Sequence, residues 1–207
     1  MHMNVQNRTA PRRSDTRERI LWTAQDLFYR YGIRATGVDM IIAGANVTKV
    51  TFYRRFPSKD ALVLAYLDYR HSLWMPWFAD ALIRARDAQT PETRDRAPLA
   101  PIVAAMREWF AEPTFRGCGF INLIAEFGDA FPGALAKCVA HKDETQAAIE
   151  SLLAPAPDAR AMAEATSIAM DGAIVRAQRG PEHREAALAG LEALLTALTA
   201  AFAPAAG

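Results

Sequence analysis

The residues best suited to contact nucleic acid are concentrated between Arg34 and Asp60. This segment closes with a group of cationic, hydroxyl-bearing and aromatic side chains, namely Lys49, Thr51, Tyr53, Arg54, Arg55 and Lys59. Side chains of these types donate hydrogen bonds to phosphate oxygens and to base edges. The segment reads as two short helices joined by a tight turn. It therefore predicts a helix-turn-helix, which presents its second helix to the DNA major groove.

Capping and turn residues divide this segment into its elements. Thr36 followed by Asp39 predicts a reciprocal cap on a short helix from Val38 to about Ala45. Asn46 lies where the turn often needs positive φ, which Asn tolerates better than other residues that carry a Cβ. Thr48 is expected to cap the second helix by accepting a bond from a first-turn N–H.

The end of the second helix is set by proline. Pro57 disfavours helical geometry at the residue before it, so the helix should end there. Ser58 is expected to cap the next helix, and Lys59 lies at its positively polarised start, where a phosphate would be favoured. Val47 and Phe52 are expected to pack inward.

The segment from Arg19 to Leu62 resembles the DNA-binding domain of the tetracycline-repressor (TetR) family of bacterial regulators. The family pattern is carried by Ile20, Leu21, Ala24, Leu27, Phe28 and Gly32, followed by VTKVTFYRRFPSKDAL from Val47 to Leu62. The spacing Tyr53, Phe56, Lys59 is specific when it follows a helix-turn-helix. The resemblance implies phosphate contacts by Thr36, Thr48, Thr51, Tyr53 and Lys59. It implies that Lys49, Val50 and Arg54 lie at or near base edges, with Arg55 on the same helix.

Three residues depart from the family pattern. Asn46 and Val50 stand where glycine is usual or frequent, and Ile42 stands where a small residue is usual. Val50 directs a β-branched side chain toward DNA, where a thymine methyl is a plausible partner. These departures bear on the operator sequence more than on DNA binding itself.

Charge is unevenly distributed along the chain. Residues 1–70 contain 12 Lys+Arg and 6 Asp+Glu, whereas the remainder contains 12 and 17. The basic part coincides with the helix-turn-helix, as attraction to DNA requires, although charges also cluster by chance on solvated faces. Residues 1–13 are expected to form a flexible arm, in which Arg8, Arg12 and Arg13 would either add minor-groove contacts or belong to a frayed tail.

Nothing in the composition predicts a metal, a cofactor or a membrane span. Cys118 and Cys138 are expected to be buried free thiols in a reducing cytoplasm, with a redox role left open. The four histidines are scattered, no apolar run reaches the length of a membrane span, and the N-terminus lacks a signal-type core. We expect a cytoplasmic protein.

The periodicity of the rest of the chain predicts an all-α fold of about nine helices. After the helices of residues 15–57, a long helix begins at Ser58, and Pro76 should kink or end it. Residues 89–98 are expected to form a loop. Further helices are predicted at about 99–111, 117–129, 132–153, 159–179 and 182–202. The predicted domains are the helix-turn-helix domain, 14–57, and a ligand-binding and dimerisation domain, 58–207.

The last two predicted helices carry apolar faces with small residues that would allow close helix approach. The candidate dimer residues are Met170, Ala173, Ala177, Leu191, Leu194, Leu195, Leu198 and Phe202. Two such helices from each subunit would form a four-helix bundle, whereas the alternative is packing within one chain. A homodimer is favoured because one recognition helix reads few bases.

The middle of the chain is unusually aromatic and holds a few polar groups, as a small-molecule pocket does. The candidate ligand contacts are Trp74, Trp77, Phe78, Met106, Trp109, Phe110, Phe120, Asn122, Glu126, Phe127 and Asp171. Glu126 is the expected polar anchor, for a cation or a hydrogen-bond donor. Aromatic stripes are more often core, and Glu126 has an alternative role as an ion-pair partner of Arg107 or Arg116.

These patterns predict a ligand-responsive regulator, most simply a repressor. It would bind double-stranded operator DNA as a dimer, and a small, largely apolar or aromatic effector would release it. Two other classes stay open: a small-molecule-binding helical protein without DNA binding, supported by Val50 and Ile42, and an all-helical enzyme. No nucleophile–base pair, metal cluster or phosphate loop favours the enzyme, whose only candidate is a carboxylate pair of Glu126 and Asp171.

Overall fold

The computed structural model describes residues 15–202, which form ten α-helices and two short 3₁₀ turns. Those predicted features that fall on residues 1–14, including the basic arm, lie outside the described residues. The helices are α1 Thr16–Tyr31, α2 Val38–Gly44, α3 Lys49–Arg55, α4 Lys59–Asp87, α5 Pro91–Arg96, α6 Ala100–Phe110, α7 Gly119–Phe127, α8 Pro132–Glu150, α9 Ala159–Ala177 and α10 Arg184–Ala201. The all-α prediction is confirmed.

Within the described residues the chain forms two compact units. The N-terminal unit comprises residues 15–74 and 118–141, and the C-terminal unit comprises residues 75–117 and 142–202. Helices α4 and α8 each contribute residues to both units. This division by contacts cuts α4, whereas the sequence predicts a domain boundary before that helix.

The local signals of the helix-turn-helix act largely as predicted. Asp15 caps α1 by accepting a bond from the Arg17 N–H. Asn46 has φ of 51°, the positive value expected for the turn. Thr48 accepts from the Thr51 N–H at 3.2 Å, and Ser58 accepts from the Ala61 N–H at 3.0 Å. Each cap satisfies one N–H that has no partner inside its helix.

Two local predictions are wrong. Thr36 is predicted to cap α2, but the N-cap residue is Gly37, which has no side chain to bond. The Thr36 hydroxyl instead donates to the carbonyls of Gly32 and Leu27. Residues 89–98, predicted as a loop, contain α5, which the Thr90 hydroxyl caps at the Thr93 N–H. Pro91 suits the first turn of that helix because its absent N–H would have no helical partner there.

Each unit has its own apolar core. In the N-terminal unit, α1–α3 bury Ile20, Phe28, Ile41 and Phe52, and α4 adds Leu62 and Tyr66. In the C-terminal unit, the buried side chains include Phe78, Ile102, Met106, Phe110, Ile174 and Leu191. Helix α4 does not end at Pro76, which lies on its exposed side. Cys118 and Cys138 are buried free thiols, as predicted.

Candidate nucleic-acid interface

Helix α3 separates an apolar inner face from a polar outer face. Phe52 is buried in the core, as is Phe56 just beyond the helix. The opposite face exposes Lys49, Val50, Tyr53 and Arg54, positions that lie together because residues four apart are neighbours on a helix. Val50 is 78% exposed, an unusual state for a large apolar side chain. This face combines cations, a phenol and one apolar contact, which is a suitable set for the major groove.

The first turn of α3 is held by two threonines. The Thr48 hydroxyl donates to Thr51 Oγ1 at 2.9 Å while it accepts from the Thr51 N–H. Thr48 remains exposed and Thr51 half-buried, so each hydroxyl still lies within reach of a phosphate. The bond between them fixes where those oxygens lie before DNA is present.

Thr36 occupies a different environment from the other predicted phosphate contacts. Its side chain is fully buried, and its hydroxyl donates to the Gly32 carbonyl at 2.7 Å and to the Leu27 carbonyl at 3.3 Å. It thus ties the loop before α2 to the end of α1. A fully buried side chain is not accessible to a phosphate, so the structure does not support the phosphate contact predicted for Thr36.

Contacts between α1 and the end of α3 position the remaining cations. Arg55 forms an ion pair with Asp15 at 3.6 Å, and the Arg17 guanidinium lies 5.0 Å from the centre of the Phe56 ring. Lys59 is half-buried, and burial lowers its pKa, an effect opposed by the nearby charges of Glu126 and Asp60. Arg55 is therefore partly neutralised by Asp15, whereas Lys49 and Arg54 are the more available cations of α3.

Glu126, at the C-terminal end of α7, holds the loop between α1 and α2. Its Oε1 accepts from the Ile33 N–H at 3.0 Å and its Oε2 from the Arg34 N–H at 2.7 Å. The Arg34 guanidinium lies 5.0 Å from the centre of the neighbouring Phe127 ring. A Cβ at Gly32, which has φ of 87°, would lie 3.1 Å from Glu126 Oε1. One carboxylate thus connects α7 to the helix-turn-helix through two charge-assisted bonds.

The partners of Glu126 could not be read from the sequence. They lie 93 and 92 residues earlier in the chain and are backbone N–H groups, which carry no residue-type signal. The arginine partners considered for it, Arg107 and Arg116, both lie in the C-terminal unit.

Comparison with known proteins identifies the family. The family described as "Bacterial regulatory proteins, tetR family" matches residues 20–66. The crystal structure of a TetR-family transcriptional regulator from Streptomyces coelicolor is 32% identical with a TM-score of 0.70, and the match covers 89% of this chain and 96% of that chain. This chain belongs to the TetR family.

Other members of the TetR family are also similar. A TetR transcriptional regulator from Chloroflexus aurantiacus is 27% identical with a TM-score of 0.67, covering 91% of this chain and 94% of that one. The HTH-type transcriptional repressor NemR of Escherichia coli is 29% identical over 115 residues, which are 56% of this chain. The match spans about half of the length of NemR, 55%. These relatives and the family are transcriptional regulators rather than enzymes.

The predicted ligand contacts of this TetR-family chain are divided between the two units. The N-terminal unit contains Trp74, Phe120, Asn122, Glu126 and Phe127, and the C-terminal unit contains Trp77, Phe78, Met106, Trp109, Phe110 and Asp171. Most of the aromatic side chains are buried. Asp171 forms an ion pair with Lys142, and the indole N–H of Trp77 donates to Glu108 at 3.1 Å.

The C-terminal unit also contains an open groove of about 640 Å³ between α6 and α10. Its charged lining comes from Arg96, Arg107, Glu108 and Glu192, and its apolar lining includes Val103. Arg107 donates to both carboxylate oxygens of Glu185 at 2.9 Å. None of the residues predicted as ligand contacts is among those that line this groove.

The candidate dimer residues fall into two groups. Met170, Ala173, Ala177, Leu191 and Leu195 are buried inside the single chain, where α9 packs on α10. Leu194 is 53% exposed, and Leu198 and Phe202 are half-buried. On α9 the exposed large apolar side chains are Ile168 and Val175. A second subunit could therefore contact only the exposed and half-buried side chains, not those already buried between α9 and α10.

Residues 15–202 contain neither a candidate membrane span nor a candidate metal site. No helix there is both long and apolar enough to cross a membrane. No group of three or more His, Cys, Asp or Glu side chains in the same residues is arranged to hold a metal ion.

Proposed function

We propose that this TetR-family protein is a ligand-responsive repressor that binds operator DNA as a homodimer in the cytoplasm. The observation that carries the proposal is the outer face of α3, where Lys49, Val50, Tyr53 and Arg54 are exposed around a buried Phe52. The direction of control is taken from the name of NemR as a repressor. We propose Lys49, Val50 and Arg54 as base-edge contacts, and Thr48, Thr51, Tyr53 and Lys59 as phosphate contacts, with Arg55 in a supporting role.

A homodimer would supply the second half-site that specific recognition requires. The surface we propose for it consists of Ile168 and Val175 on α9 and Leu194 on α10, all exposed. A Cβ added at Gly172 or Gly190 would meet nothing within 4 Å, so both glycines lie on open helix surface. Exposed apolar side chains beside glycines favour close packing with a second copy of the same two helices.

Release from DNA would act through α7. Its Glu126 holds the loop that leads into α2, so a small movement of α7 would alter the position of the helix-turn-helix. The effector, which the aromatic composition favours as small and largely apolar or aromatic, would bind the released state more tightly. A hundredfold loss of operator affinity needs about 2.7 kcal/mol of such preference.

Selection of DNA sequences tests the proposal without knowledge of the operator. Purified protein is used to enrich a randomised duplex library, and DNA from upstream of its own coding region is tested by gel shift in parallel. We expect a palindromic consensus with half-sites about one helical turn apart. Arg54→Ala should relax the preference at one base position and cost about 1–3 kcal/mol.

The control is Arg160→Ala, which removes the same charge from an exposed position on α9. This variant should bind the selected sequence as the unmodified protein does. Failure to enrich any sequence, or equal losses in Arg54→Ala and Arg160→Ala, would contradict a role for the α3 face in sequence recognition.

A further inference from the structure

Arg70, on α4, is a buried cation without an anionic partner. Its side chain is 5% exposed, and its Nη1 has no hydrogen-bond partner. The guanidinium lies 4.1 Å from the centre of the Tyr29 ring on α1. Among residues 15–202 no carboxylate forms a salt bridge with it. A buried charge is costly unless it is paired, and arginine cannot reduce that cost by losing its proton.

The neighbours of Arg70 are neutral groups. Burial raises the pKa of Tyr66 to about 12, although the Arg70 charge opposes the shift. The Tyr66 hydroxyl therefore stays protonated and provides a hydrogen-bond donor rather than a counter-ion. The Tyr29 ring offers its face to the guanidinium and its side chain hydrogen-bonds to Arg70, but neither interaction supplies a negative charge.

The N-terminal end of α7 lies against Arg70 and Tyr66. A Cβ at Gly119, the first residue of α7, would lie 3.2 Å from Arg70 Nε and 2.9 Å from the Tyr66 hydroxyl oxygen. Cys118 occupies the N-cap position without a side-chain bond to the helix. First-turn N–H groups of a helix have no partner within it, and the helix dipole is positive at this end. Two sources of positive potential, the Arg70 guanidinium and the first turn of α7, thus lie side by side in a buried region.

We propose that Arg70, the Tyr66 hydroxyl and the first turn of α7 bind a carboxylate, and that this carboxylate belongs to the effector of the proposed repressor. The second part of this proposal rests on the proposed function, whereas carboxylate binding does not. A carboxylate matches the planar guanidinium and carries a single charge. A phosphate, with more charge, would be costlier to bring into a site surrounded by aromatic rings.

Helix α7 connects this carboxylate site to the loop that leads into the helix-turn-helix. At its other end Glu126 holds the N–H groups of Ile33 and Arg34, and nine helical residues separate the ends by only about 13 Å. Arg70 also contacts Tyr29 of α1, the helix that precedes the held loop. A carboxylate that draws Arg70 toward Gly119 would thus act on α1 and α7 together.

Thermal unfolding tests carboxylate binding independently of DNA. The full chain is titrated with sodium acetate and with sodium benzoate, and sodium chloride at equal ionic strength is the reference. Acetamide and benzamide provide neutral isosteres, and inorganic phosphate provides a different anion. At about 100 times its Kd, a bound carboxylate should raise Tm by roughly 5–10 °C, while the isosteres and phosphate should not.

Two variants localise the effect. Arg70→Met replaces the cation with an apolar chain of similar length, a change that buried sites often tolerate, and it should abolish the carboxylate response. Gly119→Ala places a methyl group against Tyr66 and Arg70 and should weaken the response while keeping the cation. A rise in Tm that persists unchanged in Arg70→Met, or no rise with either carboxylate, would overturn the proposal. A rise with phosphate alone would overturn the carboxylate assignment.

A gel shift with the selected operator then tests the link to regulation. The carboxylate that raises Tm should weaken operator binding at least tenfold in the unmodified protein and have no effect on Arg70→Met. An Arg70-dependent rise in Tm without any loss of operator affinity would leave the carboxylate site in place and overturn its role as the effector site. Absence of operator binding in every condition would instead contradict the proposed function.

Discussion

Helices α3 and α7 carry their polar groups in opposite ways. Helix α3 exposes Lys49, Tyr53 and Arg54 to solvent, whereas α7 places Glu126 on backbone N–H groups and its first residue beside the buried Arg70. The residue types of α3 are therefore informative by themselves, since exposed cations on the second helix of a helix-turn-helix are suited to bind anionic groups such as phosphate. The polar groups of α7 acquire their meaning only from partners that folding brings to them.

The largest effect should come from the buried face of α3. Phe52→Ala removes a fully buried ring and should cost about 3–5 kcal/mol of the free energy of unfolding, measured by urea denaturation. Tyr53→Phe, at the next position, is the matched change on the exposed face. It should alter stability by less than about 0.5 kcal/mol and weaken operator binding. Equal loss of stability in both variants would mean that the two faces of α3 do not differ in their contribution to the free energy of unfolding.

The sequence predicts α3 well because its signals are local. Thr48, Pro57 and Ser58 each act within a few residues, and the predicted cap and stop positions are confirmed. The prediction for Thr36 is wrong because its hydroxyl bonds to the earlier carbonyls of Leu27 and Gly32 rather than to the following helix. A threonine before a helix is compatible with either arrangement, and only tertiary packing decides between them.

For α7 and for the dimer surface, prediction from the sequence is limited because their contacts are with residues distant in the chain. Glu126 was a visible candidate, but its two donors lie more than 90 residues away in the chain. The periodicity of α9 and α10 identifies apolar faces without showing which face is buried by the other helix. Met170 and Leu191 are buried within the chain, whereas Ile168, which the apolar pattern did not single out, is 66% exposed.

The second largest effect should come from Glu126→Gln. The amide retains one acceptor oxygen but directs an NH₂ group at the second backbone N–H, so one hydrogen bond is lost and the other is no longer charge-assisted. We expect a loss of about 1–3 kcal/mol in stability, accompanied by weaker operator binding. Asp143→Asn removes the same charge from an exposed position on α8, outside the proposed dimer surface, and should change neither quantity. Operator affinity that is unchanged in Glu126→Gln would mean that α7 does not position the helix-turn-helix.

A smaller effect is expected at the start of α3. Thr48→Ala removes the acceptor for the Thr51 N–H and should destabilise the protein by about 1 kcal/mol. Thr48→Ser keeps the capping oxygen and should retain the stability, since Ser caps at least as well as Thr. Urea denaturation of the two variants separates the cap from the methyl group. If Thr48→Ser were as destabilised as Thr48→Ala, packing of the methyl group rather than capping would hold this turn.

The smallest effect concerns Lys59. Its side chain is neither exposed, as the cations of α3 are, nor held by hydrogen bonds within residues 15–202, as Glu126 of α7 is. It is half-buried and burial lowers its pKa, while the charges of Glu126 and Asp60 oppose that shift, so part of its charge is already balanced. If it meets one phosphate, Lys59→Ala should reduce the salt dependence of operator binding, the slope of log K against log salt, by about one unit. Arg160→Ala should leave that slope unchanged. An unchanged slope in Lys59→Ala as well would mean that Lys59 contacts no phosphate and that its charge serves mainly to balance Glu126. The electrostatic attraction to DNA would then come from the exposed cations of α3.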